Sequence, residues 1–88
     1  MGTNAGLKLH RALENCTQIL AIEYLLAAQA FEFLKEQRFG AGTHVAWRLL
    51  RERVPAYAQD RWLAPDIASS ASILKDPGLP GAAFPWLL

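Results

Sequence analysis

The chain has 88 residues, nine Lys plus Arg against eight Asp plus Glu, a formal net charge of +1 and one cysteine. This length allows one small domain, and the balanced charge argues against nucleic acid or an anionic membrane as a partner. The lone Cys16 excludes an internal disulfide and a zinc site built on several thiolates, and it favours a reducing compartment, so we expect a cytoplasmic protein.

The first predicted element is one long helix over about residues 4–38. Thr3 or Asn4 can cap its N-terminus, because either side chain can accept a hydrogen bond from a free amide of the first turn. Apolar residues then recur at three- and four-residue steps, which is a helical period. Gly40 and Gly42 are predicted to end this helix.

The second half of this helix is apolar on almost every side. The run begins at Ile19 and ends at Leu34, and only Glu23, Gln29 and Glu32 interrupt its thirteen apolar positions. A surface helix needs a single apolar stripe, so we predict an inner helix of a bundle larger than this chain. The run is shorter than the ~20 residues that span a bilayer, so protein and not lipid is expected to cover it.

Two shorter helices are predicted after the long one. The first covers about residues 44–54, with Thr43 as its cap and Pro55 as its stop. The next covers about residues 65–75 and opens with Pro65 at a first helical position. No stretch shows a strong strand pattern.

The C-terminal stretch, residues 76–88, contains three prolines and two glycines. This composition predicts an irregular segment. Four large apolar residues near its end suggest that it docks on another surface: Phe84, Trp86, Leu87 and Leu88. The predicted fold class is therefore all-α, with one long helix, two shorter helices and a docked irregular tail.

Three stretches of the chain have distinctive sequences. Residues 13–30 read Leu-Glu-Asn-Cys-Thr-Gln-Ile-Leu-Ala-Ile-Glu-Tyr-Leu-Leu-Ala-Ala-Gln-Ala, residues 50–54 read Leu-Arg-Glu-Arg-Val, and residues 59–67 read Gln-Asp-Arg-Trp-Leu-Ala-Pro-Asp-Ile. In order and spacing they resemble the C-terminal end of the histidine ammonia-lyase family, within the wider aromatic amino acid ammonia-lyases and mutases. The resemblance covers nearly the whole chain.

The resemblance implies a helical homotetramer, built around a central bundle of long helices, that converts L-histidine to urocanate and ammonia. The family's electrophile, a methylidene-imidazolone, forms from an internal Ala-Ser-Gly. This chain has no Ala-Ser-Gly, and its nearest text is Ala-Ser-Ser-Ala-Ser at residues 68–72. A family motif, Gln-Glu-Asp-His-Val-Ser-Met-Gly, would end at Met1 and Gly2. We therefore expect the chain to begin just after the last active-site residue, with no catalytic, cofactor-binding or metal-binding residue in it.

Two local features of the long helix could carry chemistry. His10 and Glu14 stand four residues apart, a spacing that can place two metal ligands on one helix face. Two ligands are too few for a firm site, so an ordinary surface pair is the favoured interpretation. Cys16 could be a nucleophile beside a base, but a small buried core residue is the favoured interpretation.

A basic group follows in the second helix. Arg48, Arg51 and Arg53 with Trp47 could form a nucleic-acid patch. The favoured interpretation is a solvated helix face on which Glu52 partly offsets the charge, with the arginines pointing mostly away from the core.

The remaining polar and aromatic candidates favour structural roles. Asp60 and Arg61 are expected to anchor their loop through ion pairs or backbone hydrogen bonds. Glu23, inside the apolar run, should be paired, hydrogen-bonded or protonated. Tyr24 and Tyr57 are expected to be hydrogen-bonding core residues.

Two functional hypotheses follow. In the first, the chain is the C-terminal structural piece of a histidine ammonia-lyase-like enzyme, inactive alone, and its partner is the rest of the lyase. In the second, it is a stand-alone helical module that self-associates through residues 19–34 without catalysis. Histidine and another aromatic amino acid both stay open as the parent's substrate.

Overall fold

The computed structural model describes residues 2–34 and 40–83. Four helices lie within these residues: α1 (Gly2–Glu32), α2 (Ala41–Arg51), α3 (Ala64–Leu74) and α4 (Leu79–Ala83). The described part of the chain contains no strand. The all-α fold class is confirmed.

The long helix α1 has 31 residues. Because it begins at Gly2, Thr3 and Asn4 lie within its first turn and do not cap it. At the other end, Phe33 and Leu34 form a turn in which the amide of Phe33 donates to the carbonyl of Ala30 at 3.1 Å. Such i to i−3 bonds tighten the last turn of a helix. The end predicted near residue 38 lies outside the described residues.

The start of α2 differs from the prediction. Gly40 has an extended backbone (φ −62°, ψ 154°) at the N-cap position and supplies no side-chain cap. Thr43 lies inside the first turn, so the predicted Thr43 cap is wrong. Gly42 is buried within α2 and Gly40 precedes it, so these glycines open the second helix instead of ending the first.

The end of α2 also comes early. The helix stops at Arg51, three residues before the predicted end, and continues into a turn. In that turn the amide of Val54 donates to the carbonyl of Leu50 at 2.8 Å. Both apolar side chains are fully buried, so the turn closes over the core before Pro55.

The C-terminal half holds two helices. α3 has Pro65 in its first turn and Asp66 beside it, and its start lies one residue from the predicted one. α4 occupies part of the stretch predicted to be irregular, which corrects that prediction. Pro80 fits there because the first turn of a helix needs no donor at that position. The predicted docking of Phe84 and the other tail residues falls on residues outside the described ones.

The core lies where the second half of α1 meets α2 and α3, and α4 packs on α2. Its buried apolar cluster consists of Leu25, Ala28, Leu50, Val54 and Ile73. The buried polar side chain of Ser70 completes the contact of α1 with α3. The hydroxyl of Ser70 donates to the carbonyl of Ala21 at 2.9 Å, and both residues are fully buried.

The first half of α1 stands apart from this core. Every residue from position 2 to position 16 is exposed. We call residues 2–16 the arm. An isolated helix of this length is only marginally stable in water, so the arm depends on the packed half of α1, or on a partner, for its order.

Candidate interaction surface

The most prominent feature of α1 is apolar surface left open to solvent. In the second half of the helix, only Ala21, Leu25 and Ala28 are buried. Large side chains that are 41–81% exposed run along α1 and into the turn after it: Leu7, Leu9, Leu13, Ile19, Leu20, Ile22, Leu26, Phe33 and Leu34. Large apolar side chains exposed in this number indicate a surface that packs against another one.

Beside this surface lies an apolar groove of about 340 Å³ between α1, the loop at 55–63 and the start of α3. Ile22 and Leu26 of α1 form one wall, and Leu63 and Ile67 form the other. Leu26 is 66% exposed and Leu63 is 45% exposed. The groove therefore extends the apolar surface of α1 toward α3, and it can accept a large side chain.

A polar cluster holds the loop that forms the second wall. The hydroxyl of Tyr57 donates to Oδ2 of Asp66 at 2.8 Å, and Nε of Arg61 donates to the same oxygen at 2.9 Å. The guanidinium of Arg61 also donates to the carbonyl of Pro55 at 2.6 Å and stacks 4.0 Å from the centre of the Tyr57 ring. The predicted anchoring role of Arg61 is confirmed, and its carboxylate partner is Asp66.

The electrostatics of this cluster follow from its contacts. Burial tends to raise the pKa of Asp66, but hydrogen bonds from Arg61 and Tyr57 outweigh it and leave that pKa below its ordinary value. Burial, together with the neighbouring Asp66 carboxylate, raises the pKa of Tyr57. Both groups are thus fixed as carboxylate and neutral phenol.

A side-chain amide ties the same loop to α1. The amide of Tyr57 donates to Oε1 of Gln29 at 3.0 Å, and Nε2 of Gln29 donates back to the carbonyl of Tyr57 at 3.4 Å. This reciprocal pair explains one of the three polar residues in the apolar run. The side-chain amide of Gln29 supplies hydrogen-bond partners for the backbone amide and carbonyl of Tyr57 in the loop.

A second polar cluster joins α1 to α2. Oε1 of Glu32 accepts from Nε of Arg51 at 2.8 Å and from Nε1 of Trp47 at 3.2 Å. The Arg51 and Glu32 side chains are only 13% and 14% exposed. Arg51 also donates to the carbonyl of Val54 at 3.1 Å. The prediction that Arg51 points away from the core is wrong, because Glu32 draws it inward.

The same contacts argue against the suggested nucleic-acid patch on α2. Arg51 is committed to Glu32, and Trp47 is partly buried against the core. Arg48 and Arg53 are exposed. One exposed arginine on α2 and one in the turn after it form an ordinary solvated surface.

The candidates on α1 have surface positions. His10 and Glu14 form an exposed pair at 3.3 Å, and the described residues hold no group of three or more His, Cys, Asp or Glu placed to bind a metal. Cys16 is exposed, so its predicted burial is wrong for this chain. Glu23 is exposed as well: nothing in the described chain covers its side of the helix, so its carboxylate stays in water.

Tyr24 behaves as a structural residue. Its hydroxyl donates to the carbonyl of Ala46 on α2, and burial raises its pKa. The prediction of hydrogen-bonding tyrosines is confirmed for both Tyr24 and Tyr57. Sequence reasoning missed two contacts, the bond of Ser70 to α1 and the pair of Arg51 with Glu32. The only signal for either was the presence of Glu32 in an apolar run.

No helix among the described residues is long and apolar enough to cross a membrane. The polar clusters hold the neighbouring helices and loop in place. Among the described side chains, Nη2 of Arg51 is buried without a hydrogen-bond partner.

Comparisons with known proteins point to one family. The model of the aromatic amino acid lyase family matches residues 1–52. A histidine ammonia-lyase of Symbiobacterium thermophilum is 42% identical over 82 residues, which cover 93% of this chain and 16% of that protein. Histidine ammonia-lyases of Aliivibrio fischeri strain MJ11 and Chloroflexus aurantiacus strain J-10-fl are 45% and 36% identical over 86% and 94% of this chain.

The lengths differ widely. The chain spans 15% of the length of the Aliivibrio fischeri relative and 17% of the Chloroflexus aurantiacus relative. No solved structure shows a significant match to the chain.

Proposed function

Because this chain belongs to the aromatic amino acid lyase family, we propose that it serves as the C-terminal structural segment of a histidine ammonia-lyase-like enzyme. The parent reaction is the elimination of ammonia from L-histidine to give urocanate. In this role α1 is an inner helix of the assembled enzyme. The segment completes the helical shell and supplies contacts to the remainder of the lyase.

The observation that carries the proposal is the open apolar face of α1. Fully burying one large apolar side chain is worth about 1.5–3 kcal/mol, and nine such side chains along α1 and its terminal turn are at least two-fifths exposed. A chain that left this surface in water would aggregate or associate. The remainder of a lyase, several times longer than this chain, supplies the missing cover.

The proposal assigns no chemistry to these 88 residues alone. The family's methylidene-imidazolone forms from Ala-Ser-Gly, and the sequence contains Ala-Ser-Ser but no Ala-Ser-Gly. Elimination from an unactivated amino acid needs that electrophile and a positioned base. We propose that the segment is inactive by itself and that other parts of the enzyme hold the electrophile. Cytoplasmic location is part of the same proposal, supported by the single cysteine.

The alternative is a helical module that self-associates through the same face and takes no part in catalysis. The exposure of Ile19, Leu20 and Leu26 supports this reading equally well. The two functions differ in whether lyase sequence must be present for the face to be covered in its working state.

Complementation separates them. The chain is co-expressed with the Symbiobacterium thermophilum histidine ammonia-lyase shortened by its matching stretch, and urocanate formation from L-histidine is followed. We expect each part alone to be inactive and the pair to be active. No urocanate from a folded, co-purifying pair would overturn the structural role. A chain that ignores the shortened enzyme and persists as a defined oligomer on dilution would support the self-associating module.

A further inference from the structure

A second apolar groove, of about 250 Å³, lies between α1 and α2. None of the residues that line it carries a charge, and none belongs to the exposed apolar face of α1 described above. We call it the α1–α2 groove. Its walls include three residues of α1 and three of α2: Tyr24, Ala27, Phe31, Gly42, Ala46 and Trp47. It is therefore a separate surface from the face on which the proposed function rests.

Small side chains create the space in the α1–α2 groove. Ala28, which also lines it, is 2% exposed, and Gly42 is buried. Ala27 and Ala46 contribute only one methyl group each to the lining. Phe31 contributes an aromatic ring, and aromatic rings pack favourably against other rings. The groove thus suits a large uncharged side chain, above all an aromatic one.

The C-terminal end of this chain supplies side chains of that kind. Residues 84–88 read Phe-Pro-Trp-Leu-Leu, so four of the five are large and apolar, and none is charged. Large apolar side chains are stabilised when they are removed from water. The segment and the lining of the α1–α2 groove therefore match in chemistry, because both are mainly apolar and both are free of charged side chains.

The position of α4 brings this segment close to the groove. Ala83 is the last residue of α4 and is 2% exposed, and α4 packs on α2, the helix that forms one wall of the groove. Five residues of extended chain span at most about 18 Å, whereas α2, with 11 residues, is about 16 Å long. The segment is therefore long enough to follow α2 to the groove.

Two other grooves on the chain have charged residues in their linings. The groove beside α4 is lined in part by Glu52, Arg53 and Asp76. The groove between α1 and α3 is lined in part by Asp60 and Arg61. An apolar segment placed over these side chains would remove water from charged groups, which costs free energy. The uncharged α1–α2 groove is therefore the favoured site for residues 84–88.

We propose that residues 84–88 dock on α2 of the same chain and place the ring of Trp86 in the α1–α2 groove. Trp86 is the third residue beyond Ala83, so it can lie up to about 11 Å from the end of α4. The N–H of a buried tryptophan usually finds a hydrogen-bond acceptor. The hydroxyl of Thr43, which lines the groove, can accept that bond.

The docked ring joins α1 to α2 beside two polar contacts that these helices already make. The hydroxyl of Tyr24 on α1 donates to the carbonyl of Ala46 on α2, and Nε1 of Trp47 on α2 donates to Glu32 on α1 at 3.2 Å. Tyr24 and Trp47 both line the groove, so the ring packs next to both contacts. The C-terminal segment thereby stabilises the contact of α1 with α2.

A double-mutant cycle on the full chain tests this docking. Trp86→Ala removes the ring, and Ala27→Glu places a carboxylate in the groove. Ala27 is exposed, so the substitution displaces no buried side chain. Ala30→Glu is the matched control, because Ala30 is exposed on the same helix and does not line the groove. Trp86→Ala is made in the parent chain and in each of these two backgrounds, and circular dichroism gives the midpoint of urea unfolding.

Docking predicts that Trp86→Ala lowers the urea midpoint equally in the parent and Ala30→Glu backgrounds, and less than half as much in the Ala27→Glu background. The values should not change on tenfold dilution, because the contact forms within one chain. Equal falls in all three backgrounds would place the ring elsewhere and overturn the inference. No fall in the parent chain would overturn it too, as would a fall that disappears on dilution.

Fluorescence quenching gives a second readout that needs no unfolding transition. Trp62, which is 81% exposed, is replaced by phenylalanine, and the emission of Trp86 is obtained as the difference from the same chain carrying Trp86→Phe. Acrylamide should quench Trp86 more in the Ala27→Glu chain than in the Ala30→Glu chain, and equal quenching in both would contradict the docking. Neither measurement uses urocanate formation, so the result is independent of the proposed function.

Discussion

Nε of Arg51, at the end of α2, lies 2.8 Å from Oε1 of Glu32, at the end of α1. Both side chains are at least 86% buried by their neighbours, so the pair joins the end of α1 to the end of α2. Glu32 also accepts from Trp47. One carboxylate thus ties α1 to two residues of α2.

Replacing Arg51 by methionine should destabilise the chain because it leaves the Glu32 carboxylate buried without its cation. Breaking a buried pair from one side costs about 3–5 kcal/mol, and we expect the lower end here because some water reaches both groups. Urea unfolding measures the loss. Arg48→Met, on the exposed face of the same helix, is the matched control and should change the midpoint little.

Truncation of two adjacent leucines of α1 should lower the free energy of unfolding by very different amounts. Leu25 is 5% exposed and Leu26 is 66% exposed. Leu25→Ala should cost about 2–4 kcal/mol of unfolding free energy, as core truncations do, whereas Leu26→Ala should stay within about 0.5 kcal/mol. In the complemented enzyme Leu26→Lys should abolish urocanate formation. Equal unfolding effects of the two alanine variants would contradict the placement of the core.

The hydroxyl of Ser70 should contribute measurably to the free energy of unfolding. It is fully buried and donates to the carbonyl of Ala21 at 2.9 Å. Ser70→Ala should lower the free energy of unfolding by about 1 kcal/mol, the usual net worth of such a bond. Ser72→Ala, on the exposed side of α3, serves as the control in the same urea titration. A neutral Ser70→Ala would mean that the helices do not meet there.

The Asp66 cluster should make stability depend on pH in the acid range. The pKa of Asp66 is lowered in the folded chain, whereas an unfolded aspartate titrates near pH 3.9. Its contribution to stability is therefore complete above the unfolded value and is lost as the pH falls through the lowered folded one. Asp66→Asn should flatten the fall in urea midpoint below about pH 5.

The sequence predicted the helical fold class and indicated the family resemblance, because both depend on local residue patterns and their spacing. The apolar run at 19–34 indicated more apolar surface than this chain covers, and Leu20 and Leu26 are exposed. Helix ends were less predictable. Thr43 has the chemistry of a cap, yet α2 begins two residues earlier at Ala41, because packing on α1, and not local capping, decides where the helix starts.

Individual side-chain partners were predictable only in part. Arg61 stands among loop residues with unsatisfied carbonyls, so its anchoring role could be anticipated. Arg51 and Arg48 look alike in the sequence, and only the meeting of α1 with α2 decides which one is buried. The hydrogen bond of Ser70 joins residues 49 positions apart, and no local sequence pattern predicts it.

A chimeric enzyme tests the central claim most directly. The 82-residue stretch of the Symbiobacterium thermophilum histidine ammonia-lyase that matches this chain is replaced by this chain, and urocanate formation is measured beside the parent enzyme. We predict an active chimera that assembles like its parent and loses activity with Leu26→Lys. A chimera that folds and assembles like the parent but forms no urocanate would contradict the structural role proposed here.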